Sequence, residues 1–237
     1  MILRSRIIQP KVVKMATEIS KESLLTEIDN KTKAMLNLGK QLVAINPNLE
    51  PFDLMLLSIV NRTVNLNSAF TNLIRSNNFI AGAPLVRINL DSLLRLYASI
   101  ISEHDRNTFA KEVRKGVKIS NMKLQGTKTA MRDITLVEEL SKIEGMDWVQ
   151  KVYNAGNSFV HFDNVIFFSS QKIASYEERT LIQTIGLHDS FIPESEKFGA
   201  VVWMNKIIDS IIQQCQIWMF EKCERYNFNI EDLNNIH

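Results

Sequence analysis

Apolar residues recur every three or four positions over long stretches of this chain, a period that belongs to amphipathic helices and not to strands. Over about 17 to 45, Leu24, Leu25, Ile28, Met35, Leu36, Leu42 and Val43 share that spacing, and the pattern stops before Pro47. A β-sandwich or barrel needs turn residues every ~8–12 positions. Eight glycines and five prolines in 237 residues cannot supply them. At 45% hydrophobic residues the chain can bury one sizeable core, and no shift of composition marks a second. The expected class is mainly α. The expected organisation is a basic N-terminal extension over 1–14 followed by one helical domain over 15–237.

A second helix is expected over about 52 to 76, rich in asparagine (Asn61, Asn65, Asn67, Asn72). Pro84 suits the first turn of a third helix, where its missing N–H is not needed, and that helix continues to about 102. The helical pattern weakens between 111 and 132. There Lys111, Arg114, Lys115, Lys118, Lys123, Lys128 and Arg132 face one acid, Glu112. Asp133 is a cap candidate for a short helix to about 144, ended by Gly145, and a further helix spans about 146 to 161. After it the period changes to two: VIFFSSQKI and RTLIQTIGL read as a hairpin joined near Ser175 to Glu178. Pro193 and Glu194 open a last helix to about 226.

Charge is unevenly spread. Four of the 28 basic residues (Arg4, Arg6, Lys11, Lys14) precede Met15 with no acid among them, leaving 24 against 26 acidic residues from Met15 on. This start is either an arm attracted to phosphate or a membrane surface, or the consequence of translation beginning at Met15. It has neither the apolar run nor the cleavage site of a secretory signal. The run from Phe198 to Phe220 approaches membrane-span length but carries Lys206 and Asp209. Two central charges cost roughly 5–7 kcal/mol on insertion, so a bundle helix is expected there and no membrane partner. Its Trp203, Ile207, Ile211 and Trp218 fit either a core or an interface. Cys215 and Cys223, eight residues apart, have no zinc spacing and read as buried thiols of a cytoplasmic protein.

Motifs for dinucleotides, P-loop phosphates, zinc proteases, EF-hand calcium and serine hydrolases are absent, and neither a cofactor nor a metal is expected. His104-Asp105, His188-Asp189 and His161-Phe162-Asp163 pair imidazole with carboxylate only in sequence, which is weak evidence for a site.

The segment WVQKVYNAGNSFVH is more informative. At about 100° per residue from Trp148, the residues Val149, Val152, Gly156, Phe159 and Val160 fall in one arc of roughly 20–120° that faces a core. Tyr153, Asn157 and His161 follow at about 140°, 180° and 220°, a row along the edge of the buried face. GNSFVH resembles the RNxxxH signature of HEPN-family proteins, helical bundles that include metal-independent ribonucleases of bacterial defence and toxin systems. Asn157 matches the polar second position and His161 the histidine, while Gly156 stands where the family has arginine. APLVRINLDSLLRLYA and VIFFSS add to the resemblance, which covers about 50 to 225.

The resemblance implies a HEPN-like bundle with one β-hairpin after the motif helix, and a homodimer with the site between subunits. It also implies a histidine that moves protons while a ribose 2′-OH attacks its own phosphate. The arginine would bind that phosphate, and loss of such a donor costs on the order of 10²–10³ in rate. Arg87, Asp91 and Arg95 form one strip of the third helix opposite Leu90, Leu93, Leu94, Leu96, Tyr97, Ile100 and Ile101. The strip is either a solvated face in which Asp91 bridges two arginines, or a wall of the same cleft in which Arg87 or Arg95 replaces the missing cation. His161 is correspondingly a catalyst or a residue that satisfies the last carbonyls of its helix. Lys115 and Lys118 are either part of an RNA-binding surface or of a solvated loop. Two functions follow as expectations: a non-catalytic module binding RNA, a nucleotide or a partner protein through Tyr153, Asn157, His161 and the strip, or an active metal-independent endoribonuclease.

Overall fold

Ser20 accepts the N–H of Ser23 on its hydroxyl, the cap that starts helix α1 (Lys21–Ile45). The computed structural model describes residues 20–161, 164–177 and 179–236. The basic segment before Met15, Asp163 and Glu178 therefore lie outside the described residues. Helix α2 (Pro51–Arg75) opens with proline at its first position and a reciprocal box in which Asp53 accepts the N–H of Glu50. These two helices, α3 (Phe79–Ile101) and the 33-residue α8 (Glu194–Tyr226) form the centre of the bundle. α1 packs on α2 and α8, and α3 packs on α2, α8 and α6 (Trp148–Val160). The shorter α4 (Arg106–Arg114) and α5 (Asp133–Ser141) cover α2 and α3.

The expected leucine face of α3 is buried at Leu90, Leu93, Leu94 and Leu96 and meets Val201, Met204, Ile207, Ile208 and Ile211 of α8 in one apolar core. Each such side chain contributes about 1.5–3 kcal/mol on leaving water. In α8, Lys206 and Asp209 are exposed while Ile207, Ile211 and Trp218 are buried, so this helix is a core element. Among the described residues no helix is long and apolar enough to cross a membrane.

Three local readings need correction. Pro84 lies in the second turn of α3, because the helix starts five residues earlier: Asn78 caps Ala81, and the Asp189 carboxylate, from a loop 110 residues away, accepts the N–H groups of Phe79 and Ile80. The weak stretch after 102 begins with α4. Asp105, read beside His104 as a side-chain pair, instead caps that helix by accepting from Asn107 and Thr108. Third, the VIFFSS segment is not a strand. Residues Asn164–Ser169 form α7, with Ser169 bonding back to Ile166, and the hairpin is confined to β1 (Gln171–Ser175) and β2 (Thr180–Gln183). A short apolar run reads the same for helix and strand. The strands pair antiparallel, Lys172 with Ile182 and Ile173 with Leu181, with an irregularity before Ser175.

Two polar groups inside the bundle fasten its ends. Lys222 and Asp53, both fully buried, meet at 2.7 Å. Trp218 Nε1 donates to the same carboxylate at 2.7 Å, and Lys222 also donates to the carbonyl of Leu42. The end of α1, the start of α2 and the end of α8 thus share one buried ion pair.

Candidate functional site

Helix α6 buries Trp148, Val149, Val152 and Gly156, leaves Tyr153 and Asn157 half-buried, and exposes Val160. The expected arc is therefore shortened at its end: Val160, the last residue of the helix, is 50% exposed. His161 is the C-cap. Its backbone is extended, and its N–H donates to the Asn157 carbonyl at 3.0 Å. The residue closes the row that Tyr153 and Asn157 share, one turn beyond Asn157, and it is exposed to solvent, with no side-chain hydrogen bond among the described residues.

The glycine of the motif has a specific neighbour. A Cβ built on Gly156 would stand 2.8 Å from Cβ, 3.1 Å from Cδ and 3.2 Å from Cγ of Arg87. The stem of Arg87 crosses α6 at the one position where α6 has no side chain. Its guanidinium then lies over the Tyr153 ring, 4.4 Å from the centroid, and its Nε donates to Asn157 Oδ1 at 3.3 Å. Cation–π attraction and the amide bond hold the head of Arg87 against α6.

The other edge of Arg87 faces α5. Arg87 Nη2 donates to Asp133 Oδ2 at 3.3 Å, and Arg95 Nη2 donates to Asp133 Oδ1 at 2.5 Å. Arg95 also pairs with Asp91 at 2.7 Å, and Asp91 with Arg62 of α2 at 3.1 Å. Burial disfavours the charge on Arg95, but the fields of Asp91 and Asp133 outweigh it and raise its pKa. The result is an alternating chain, Arg62, Asp91, Arg95, Asp133, Arg87, that ends on Asn157 and Tyr153. It holds three cations and two carboxylates. Asp91 does bridge two arginines, but they are Arg95 and Arg62, not Arg95 and Arg87.

Of the residues singled out in the sequence, Arg87, Asp91, Arg95, Tyr153 and Asn157 come together, with His161 one turn beyond Asn157. Lys115 and Lys118 do not join them: Lys115 pairs with Glu112 at 2.7 Å, and neither lysine bonds to the cluster. All seven basic residues of 111–132 are exposed, and the last of them, Arg132, directly precedes Asp133. Arg62 and Asp133 are the members that sequence reasoning missed. Asp133 carries an apparent cap signal, whereas its partners are 38 and 46 residues away.

A cavity of about 480 Å³ is lined by Ser102, His104, Arg106, Gln125, Trp218 and Arg225. Arg106 there pairs with Glu221 and Arg225 with Glu50. His188 bonds to the Ser76 carbonyl through Nδ1, so it and Asp189 tie their loop to the α2–α3 corner. Among the described residues no group of three or more histidine, cysteine or acidic side chains could hold a metal.

Chemically, the cluster offers planar guanidinium donors, a phenol ring and a carboxamide on one half-buried face, with an imidazole at its edge. That set matches phosphate or carboxylate oxygens. No family model, no curated protein and no solved structure matches the chain.

Proposed function

We propose that this protein is a HEPN-like module that binds RNA through Arg87, Tyr153, Asn157 and His161 without cleaving it, in a bacterial defence or toxin-type system. The observation that carries the proposal is the seat of Arg87 on Gly156. A cation from α3 occupies the space left by the residue that the resemblance expects to be arginine, and it bonds to the motif asparagine. Phosphate recognition is thereby supported even though the motif lacks its own arginine.

The state of that arginine argues for binding rather than catalysis. Arg87 is only 13% exposed at its side chain, and two of its five N–H donors already engage Asn157 and Asp133. A transition-state cation must present free donors to charge as it develops. The exposed basic run ending at Arg132 adds a long-range field that favours an anionic polymer over a neutral partner.

The reading is tested by titrating a short single-stranded RNA against the full chain at several salt concentrations. A slope of log affinity on log salt of about −1 to −2, from two or three phosphate contacts, is expected, with affinity reduced in Arg87→Ala and Tyr153→Ala. Absence of binding at low salt would refute it. The alternative, an active metal-independent endoribonuclease using His161 with Arg87 or Arg95, is favoured by one observation: the helical bond from the His161 N–H to the Asn157 carbonyl puts that histidine one turn beyond the residue that holds Arg87.

A further inference from the structure

We infer that Arg87 and Arg95 form a two-arginine oxyanion clamp in which the Asp133 carboxylate occupies the seat of a ligand phosphate, so that phosphate enters by displacing the first turn of α5. This inference rests on the RNA-binding reading of the same face.

The arrangement of donors is the first argument. Each oxygen of Asp133 takes one guanidinium, Oδ1 from Arg95 and Oδ2 from Arg87. The two arginines stand eight residues apart on α3, about 12 Å along its axis at 1.5 Å per residue. Their heads converge on a single carboxylate placed between them. Two non-bridging oxygens of a phosphate mono- or diester present the same pair of acceptors.

Each arginine also has a second holder. Arg87 is fixed by the Tyr153 ring and Asn157, and Arg95 by Asp91, which Arg62 fixes in turn. Withdrawal of Asp133 therefore leaves both heads in place as a preorganised site.

Asp133 itself is not needed to start its helix. Arg132 is the N-cap of α5, and no side chain makes a cap bond there. The helix is anchored by Leu136, Val137 and Leu140, all buried, while Arg132 and Ile134 are exposed. Residues 133–135, none of them fully buried, can shift while those three stay covered. Their N–H groups and Arg132 would then face the incoming phosphate, a favourable position for an anion.

The test measures binding of a short single-stranded RNA, and separately of inorganic phosphate, to the full wild-type chain, Asp133→Asn, Asp133→Ser, Arg87→Ala and Asp133→Asn/Arg87→Ala. Removing the internal competitor should tighten RNA binding at least about tenfold in both single variants, and the double variant should lose that gain. Inorganic phosphate should raise the melting temperature of Asp133→Asn more than that of wild type. In the unaltered protein, RNA should speed amide exchange at residues 136–139, whose N–H groups bond to the carbonyls of 132–135, but not at 140 and 141, a readout that needs no variant to fold. Equal RNA affinity in wild type and Asp133→Asn, both weakened by Arg87→Ala, would overturn the clamp and leave the RNA-binding reading standing. Phosphate stabilisation of Asp133→Asn that depends on Arg87, without any RNA binding, would support the clamp and remove that reading. No response to either ligand would overturn both.

Discussion

Replacing Gly156 with alanine probes the contact on which the site is built. The new methyl carbon would stand 2.8 Å from Arg87 Cβ, against about 3.5–4.0 Å for an ordinary carbon contact. Arg87 Cβ is fixed to the α3 backbone, so the far end of the side chain cannot relieve the clash by rotating. The helices must separate or the arginine stem must move, and overpacking of this kind costs about 1–3 kcal/mol. Alanine returns about 1 kcal/mol of helix propensity, for a net loss of about 0–2 kcal/mol. For a chain of this size, 1 kcal/mol shifts the melting temperature by about 2–4 °C. Gly199 in α8 is the internal control, because nothing stands within 4 Å of its would-be Cβ. Gly199→Ala should gain about 1 kcal/mol in urea denaturation followed by circular dichroism, whereas Gly156→Ala should fall below wild type. If both variants gain equally, Arg87 does not pack on Gly156 and the argument for the site fails.

Lys222→Met should cost about 3–5 kcal/mol in the same assay, because it leaves Asp53 charged and fully buried, and adding Asp53→Asn should recover part of the loss. A loss under about 1 kcal/mol would show that the pair is not buried as described. Asp105→Ala should cost about 1 kcal/mol at pH 7 through loss of the α4 cap. Hydrogen bonds from the Thr108 side chain and backbone hold the Asp105 carboxyl below its ordinary value. Its contribution is therefore present above the unfolded pKa of about 3.9 and lost as pH falls through the folded one, so wild type and variant should converge in acid. Both cysteines are free and buried, and burial pushes the Cys215 thiol to about 12. Neither should react with a maleimide at pH 8 until urea is added; rapid labelling of the native protein would contradict their placement.

Where one period runs unbroken, the residues alone define the element. Glu194 to Tyr226 is such a run, and its start after Pro193 and its end near 226 are both visible in the residues. Phe167 and Phe168 read as strand in the sequence but lie in α7, because a short apolar run carries no period of its own. Helix α4 is hard to see in the residues because its start rests on the bonds of Asp105 to the Asn107 and Thr108 N–H groups, while the adjacent His104 offers a competing pair. The candidate site divides the same way. Tyr153, Asn157 and Gly156 are neighbours on one helix, and their relation follows from 100° per residue. That Arg87 fills the space at Gly156, and that Asp133 joins Arg87 to Arg95, depends on how α3 meets α6 and α5. Helical periodicity identifies which face is buried, but not which residue of another helix lies opposite it.

Incubating the full chain with single-stranded RNA in the presence of a chelator, then recovering both the bound fraction and the RNA, tests the central claim directly. Binding that falls with salt and in Arg87→Ala, with the RNA recovered intact and its yield unchanged by His161→Ala, is the predicted result. Chelator-resistant cleavage that disappears in His161→Ala would contradict it.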